Sequence, residues 1–571
     1  MSHLDGGSAL SVVEIVPAAP RLHLVTPPPA DKRAAAPTGQ TADRTDLRNA
    51  ECLIEWLGAD LRFVGTWSKG LAWDGTRWEL DDVARWQQAA ASTARTLFED
   101  AITELKAANN AQNAERMEKA RGALAWAAKS QGAPRLAAMV TLGRSFPSVI
   151  VKHTALDSHP WLLNVRNGTF DLRTGKLGPH QREHLITKLA PVEYDSRATA
   201  PTWEAFLERA MGGNPELVEF LQRLIGYALT GEVREHVLAF FHGDGANGKS
   251  TFLATIHAML GDYATPAARK LLFRGRSDRH PTELATLYGR RFVTCSEIEE
   301  GLAFDEALVK DLTGGDRINA RRMQEDEWSF DPTHKLFLAG NHKPSVRGDD
   351  EGIWRRMRLV PWDVVIPEGE RDPELPTKLR AELAGVLRWS VEGCLAWQRH
   401  GLDAPTAVRA ATREYREEND LLGQFFRDYL VFAPDATVSR RELRETYGRA
   451  CQEAGTEPLG AKRFAARLRE RGVTETTVRG EPRLVNGTLM RPVVHAWRGV
   501  RFATDEERAC RTDESCSHVA TCSDQSPASS QTPAHGSTNP EPPATSGYSD
   551  TNSIDEQDTF AAYVNREGIC E

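Results

Sequence analysis

Eight consecutive residues, Gly243-Asp244-Gly245-Ala246-Asn247-Gly248-Lys249-Ser250, have the types and spacing to hold a chain of phosphates. Glycines let backbone N–H groups turn inward onto phosphate oxygens, and a following helix N-terminus adds positive potential. Lys249 is placed to reach β- and γ-phosphates. The Ser250 hydroxyl, followed by Thr251, is placed to ligate Mg²⁺. A glycine-rich turn matches such a pattern by chance only rarely, and the flanking residues tighten the reading. The apolar run Val237-Leu238-Ala239-Phe240-Phe241 precedes the loop. Phe252, Leu253, Ile256, Met259 and Leu260 after it lie on one face of a helix that Gly261 can stop. The expected chemistry is binding and hydrolysis of ATP with Mg²⁺.

Three more apolar runs end in polar residues. Phe292-Val293-Thr294-Cys295 leads into Ser296-Glu297-Ile298-Glu299-Glu300, and Lys335-Leu336-Phe337-Leu338-Ala339 into Gly340-Asn341. Met357-Arg358-Leu359-Val360 follows Trp354-Arg355-Arg356. Open α/β sheets bind ligands beyond the carboxyl ends of their strands, so these residues are candidates. Glu297 would hold Mg²⁺ or polarise the attacking water, with Glu299 as second carboxylate. Asn341 would orient that water, and Arg355 or Arg356 would neutralise transition-state charge, across a subunit boundary. The competing readings are plain: an acidic run is often a solvated turn, and an asparagine after a strand is often a cap.

These groups need a scaffold, and the 571-residue chain is long enough for several domains. We expect an α/β protein with a P-loop ATPase core over residues 235–365. A disordered segment, 1–46, and a mixed, mostly helical N-terminal domain, 47–200, precede a helical collar at 201–234. A helical segment at 366–420 leads to a small basic domain at 421–503 and a disordered acidic tail at 504–571. Asp74-Gly75 predicts a hairpin turn, and Asp82 to Lys129 one long helical stretch. Trp67, Trp73 and Trp78 would form either a base-stacking face or a small aromatic core.

The net charge of −9 conceals an uneven distribution. Residues 501–571 hold 4 Lys/Arg against 13 Asp/Glu, whereas 436–500 hold 13 against 7. A basic island before an acidic tail is compatible with nucleic-acid binding. There is no apolar run long enough to span a membrane and no secretory leader pattern, and the eight cysteines form no disulfide framework. A reducing cytoplasm is the expected compartment. Cys510, Cys516, His518 and Cys522 do not match zinc-knuckle spacing, so no zinc site is expected there.

The order of motifs resembles superfamily three helicases, specifically the helicase part of phage and plasmid primase-helicases, relatives of the poxvirus primase-helicase. The matching stretches are the phosphate loop, Ala285-Thr286-Leu287-Tyr288-Gly289-Arg290-Arg291-Phe292, Ser296 to Gly301 and Val309-Lys310-Asp311-Leu312-Thr313-Gly314-Gly315-Asp316. Ala339-Gly340-Asn341-His342-Lys343-Pro344 and Trp354-Arg355-Arg356-Met357 follow, with Leu163-Asn164-Val165-Arg166-Asn167-Gly168 and Leu224-Ile225-Gly226-Tyr227 upstream. The resemblance implies an AAA+-like core in a hexameric ring that hydrolyses ATP between subunits and moves on single-stranded or forked DNA in a bacterial host. It also implies a DNA-gripping hairpin between the acidic strand and the Asn341 strand, which places Lys310, Arg317, Asn319, Arg321 and Arg322 near DNA. Primase-helicases often carry a primer-making domain; no metal-binding carboxylate pair with a partner His is evident here. We therefore expect unwinding without priming, with a separate primase or polymerase chain as partner.

The basic C-terminal region adds a second DNA expectation. Arg463, Arg467 and Arg471 repeat at helical spacing opposite Phe464 and Leu468, before a basic hairpin read at Val478 to Arg483. That pattern predicts a winged helix on duplex DNA, which the family commonly carries here. Two other readings remain open. One is priming within the same chain; the other is an origin-binding initiator whose ATP site only controls assembly.

Overall fold

The computed structural model describes residues 44–275, 282–296, 298–323, 326–346, 351–453, 458–485 and 488–512. The chain divides after Phe502 into two units. In the first, α1 (Asp46–Leu57) starts at Thr45, whose side chain accepts from Arg48 N. Strands β1 (Leu61–Val64), β2 (Lys69–Trp73) and β3 (Trp78–Leu80) form an antiparallel meander, with the β2–β3 turn at Asp74-Gly75 as expected. Trp67 and Trp78 are buried, at 5% and 0% exposure, so these rings are core rather than an open stacking face. The expected single long helix is instead a helical hairpin, α2 (Arg85–Asn110) and α3 (Ala114–Ser130). Asn113 breaks it by capping α3, accepting from Arg116 N at 2.9 Å. Helix α4 (Ala133–Gly143) packs against α1 and α2 over a common apolar core.

A second meander, β4 (Leu162–Val165), β5 (Gly168–Asp171) and β6 (Lys176–Gly178), has its first turn at Arg166-Asn167. Helices α5 (Pro201–Ala210) and α6 (Pro215–Leu229) follow. Asn214 and Pro215 start α6 in the preferred cap-then-proline order.

The central sheet has five parallel strands in the order β13-β7-β12-β9-β8: β7 (Leu238–His242), β8 (Ala264–Pro266), β9 (Phe292–Cys295), β12 (Lys335–Gly340) and β13 (Met357–Pro361). Strands β7, β9, β12 and β13 match the four expected runs. Strand β8 was not expected, because three residues ending in proline carry little strand signal. Helix α7 (Lys249–Leu260) covers one face; α8 (Thr282–Ala285), α9 (Glu306–Gly314) and α10 (Glu351–Trp354) lie in the connections. Between α9 and β12 stands the hairpin of β10 (Ile318–Ala320) and β11 (Trp328–Phe330). Helices α11 (Leu375–Ala381), α12 (Leu383–His400) and α13 (Thr406–Asn419) complete the layer, with α12 packed on α6 so closely that Gly226 and Gly393 leave no room for a side chain. The protein is a mixed α/β fold built on a parallel sheet.

A small α/β body follows: α14 (Leu421–Tyr429), β14 (Leu430–Ser439), α15 (Arg440–Glu453), α16 (Ala461–Glu470), β15 (Thr474–Arg479), β16 (Arg483–Val485), β17 (Thr488–Met490) and β18 (Val493–Phe502). Its sheet order is β14-β18-β15. The basic hairpin turn read at 478–483 is not a turn. Gly480 N donates to Pro492 O, and the ladder runs on through β16 and β17, so the hairpin is longer than expected. In the second unit, α17 (Asp505–Thr512) forms inside the segment expected to lack structure. Thr504 and Glu507 cap it reciprocally: each backbone N–H donates to the other's side chain. Residues 1–43 and 513–571, with Cys516, His518 and Cys522, lie outside the described residues. Among the described residues no helix is long and apolar enough to cross a membrane.

His334 and Lys335, entering β12, are 2% and 3% exposed. Burial and the adjacent Lys335 push the His334 ring down to about 3. The folded state therefore keeps this ring neutral while the unfolded chain protonates it near 6.5. Stability is present above that value and falls as pH drops through it, by about 1.4 kcal/mol per pH unit. Chemical denaturation between pH 7 and pH 5 should show a steeper loss for the natural chain than for His334→Gln. Equal slopes would rule out this contribution.

Candidate functional site

The eight-residue loop connects β7 to α7, beyond the carboxyl end of the sheet. Its backbone requires glycine in two places. Gly248 has φ +87° at the helix start, and a Cβ there would meet the Phe206 ring at 2.8 Å. At Gly243 a Cβ would meet Trp362 O at 2.1 Å. Gly245, by contrast, faces open space. The segment after β13 braces the loop. Trp362 N donates to His242 O (2.7 Å), Asn247 Nδ2 to Trp362 O (2.8 Å) and Ile366 N to Ala246 O (2.9 Å). A buried tryptophan and a buried asparagine thus hold the loop from behind while its tip stays exposed.

Lys249 is buried at the first residue of α7. Its Nζ donates to Gly243 O (2.5 Å), Asp244 O (3.2 Å) and Asn247 Oδ1 (3.0 Å). Burial lowers its pKa, partly offset by Asp244. Lys249 and Ser250 line a cleft of about 580 Å³ together with Thr294, Ser296, Asn341 and His342. The strand ends thus bring three expected residues, Lys249, Ser250 and Asn341, into one cleft. Parallel pairing sets this: Gly340 aligns with His242, placing Asn341 beside the loop.

Glu297 lies outside the described residues. Glu299 is exposed, 3.7 Å from Lys270, and is not among the residues lining the cleft. Between them Ile298 is buried and packs over Gly340, where a Cβ would lie 2.4 Å from its Cδ1. Gly340 therefore seats the acidic segment on the sheet. Gly340→Ala should displace it, lowering stability by about 1–3 kcal/mol and nucleotide turnover at least tenfold. A melt combined with a turnover assay checks this, and unchanged turnover would contradict it.

Arg355 and Arg356 precede β13 at the opposite, amino end of the sheet. Met357 pairs with Leu238 and Pro361 with His242, so four residue steps, about 13 Å, separate them from the loop's end. Arg355 is exposed; Arg356 is 8% exposed, with Nη1 donating to Gly352 O. Neither lines the loop cleft.

The hairpin implied by the resemblance is present, also at the amino end. Lys310 is half-buried on α9. Arg317 pairs with Asp331 on its own hairpin (2.9 Å), and Asn319 and Arg321 are exposed. Arg322 stacks over Trp67 and Trp328, 4.7 and 5.5 Å from the ring centroids, so it braces the hairpin against the N-terminal meander. In the C-terminal body Arg463 is exposed, while Arg467 pairs with Glu470 at 2.9 Å.

Sequence reasoning missed His257. It lies seven residues after Ser250, on the same helix face, and joins Thr294 Oγ1 through Nε2 at 2.8 Å inside the cleft. Burial lowers its pKa, favouring the neutral ring. The i,i+7 spacing from Ser250 was the available signal.

Residues 50–212 match the family described as "D5 N terminal like", and 241–356 match a family of unknown function, DUF5906. The chain is 29% identical over 299 residues to "Putative helicase L207/L206" of Acanthamoeba polyphaga mimivirus, covering 48% of this chain and 31% of that protein. It is 26% identical over 211 residues to "Putative primase C962R" of African swine fever virus, covering 36% and 22%. The resemblance to the primase-helicase family stands. The chain spans under a third of the length of these relatives. A solved structure titled "The apo structure of NrS-1 C terminal region (305-718)" aligns at 11% identity and TM-score 0.33, covering 56% of this chain and 87% of that one.

Proposed function

We propose that the chain is an ATP-dependent DNA helicase of a replicating genetic element, working as a ring on single-stranded DNA. The observation that carries this is the braced loop holding Lys249 beside Ser250 and Asn341 in one cleft. The residues fit ATP and Mg²⁺: a tip open at Gly245, a lysine on main-chain oxygens, and an exposed serine hydroxyl at a helix start. Lys249 would bind the terminal phosphates and Ser250, with Glu297, the metal, while Gly243 to Thr251 supply backbone donors. Bound Mg²⁺ supplies charge neutralisation for phosphoryl transfer. Asn341 would orient water. Arg355, exposed at the far end of the sheet, would serve a neighbouring subunit, whereas Arg356 is buried and bonded to Gly352 O. Arg317 and Arg321 on the hairpin and Arg463 in a winged-helix-like body are the exposed members of the expected DNA contacts.

The similarity to proteins named helicase supports the class of activity. A second reading, priming coupled to unwinding, draws on the relative named primase. ATP hydrolysis stimulated by single strands separates the motor from an origin-binding initiator. The helicase reading expects stimulation of at least tenfold regardless of base sequence. Tight sequence-specific duplex binding with negligible turnover would overturn it. Template-directed primer synthesis by the chain alone would favour the second reading.

A further inference from the structure

Helix α13 lays Val408, Thr412 and Tyr415 against β13; Val408 and Tyr415 are fully buried, and Thr412 Oγ1 accepts from Leu359 N at 3.0 Å. This fixes the helix rotation. Arg409, Arg413 and Arg416, at i, i+4 and i+7, form an exposed stripe beside the contact. They share a cavity of about 590 Å³ with Arg355 and Arg358. Three carboxylates also line it: Glu235, Glu351 and Asp403. Two of them are engaged, Glu351 with Arg416 and Glu235 with Trp397 Nε1. Arg358 is pinned by bonds from Nη1 to Arg355 O and Met357 O, both 2.8 Å. Arg355, Arg409 and Arg413 therefore converge with positive charge in excess, in a cavity whose rigid wall is the strand itself.

We propose that Arg409 and Arg413 join Arg355 in contacting the terminal phosphate of a nucleotide held in the loop of a second copy of this chain. The inference rests on the motor reading above and deepens it. The occupant's chemistry follows from guanidinium geometry, which suits phosphoryl oxygens. Its source follows from the sheet: the chain's own loop opens at the opposite end, so the phosphate comes from another copy. Charge building on the transferred group is then shared by three guanidiniums from two elements, β13's entry and α13.

The test uses the full chain with single-stranded DNA. Arg409→Ala/Arg413→Ala should lower ATP turnover about a hundredfold with little change in nucleotide KM. Arg413→Lys should retain more turnover than Arg413→Ala. Co-expression of the double variant with Lys249→Ala should restore turnover, because an intact loop then meets intact arginines across mixed boundaries. Melting curves confirm that each variant folds. Turnover within threefold of wild type in the double variant would overturn this inference alone. So would a loss that mixing does not repair, which places the arginines' action within their own copy. Tripolyphosphate bound by isolated Lys249→Ala copies, lost with Arg409 and Arg413 and accompanied by no repair on mixing, would assign the cavity to a free anion instead. No turnover by the wild-type chain would overturn the motor reading and this inference with it.

Discussion

Lys249→Ala should abolish ATP turnover, by about a thousandfold or more, while leaving the fold intact. The Nζ rests on Gly243 O, Asp244 O and Asn247 Oδ1, so without nucleotide it is held by the loop's own acceptors. Phosphate oxygens would replace those partners and gain the charge. Alanine removes the charge and keeps a good helix former at the first position of α7. The loop's main-chain braces, Trp362 N to His242 O and Ile366 N to Ala246 O, do not involve the lysine side chain. Circular dichroism should therefore report a melt near that of the natural chain while turnover disappears. Turnover within threefold of the natural chain would remove the loop from the chemistry.

Asn341→Ala should separate catalysis from binding. Asn341 follows the last residue of β12 and lines the cleft beside Lys249 and Ser250, yet it belongs to neither the loop nor α7. Removing its amide takes away a group that would act on water and leaves the phosphate cradle whole. Turnover should fall about a hundredfold, with nucleotide affinity changed less than threefold. An affinity loss matching the loss in turnover would make Asn341 a binding residue.

Much of this arrangement was legible because the core strands are short, continuous apolar runs with polar residues at their ends. Leu238–His242 and Lys335–Gly340 are such runs, and pairing them in parallel brings Asn341 to the loop. The phosphate loop was legible for a different reason: its glycines are demanded by backbone geometry at Gly243 and Gly248. What escaped depends on partners distant in sequence. The separation of Arg355 from Arg356 arises because one side chain turns inward to Gly352 and the other outward. The engagement of Arg322 with Trp67 spans 255 residues of chain, and no local pattern announces it. His257 was hidden as an ordinary polar residue on an amphipathic helix until β9 brought Thr294 beside it. The break at Asn113 was overlooked because alanine-rich sequence on both sides favours helix.

Hydrolysis in the braced loop is proposed to drive strand separation. Strand displacement on forked duplexes carrying a 3′ or a 5′ single-stranded tail, with ATP and Mg²⁺, measures this directly. The natural chain should displace the strand on one fork polarity, and Lys249→Ala on neither. No ATP-dependent displacement on either fork by the natural chain, or displacement that survives Lys249→Ala, would contradict it.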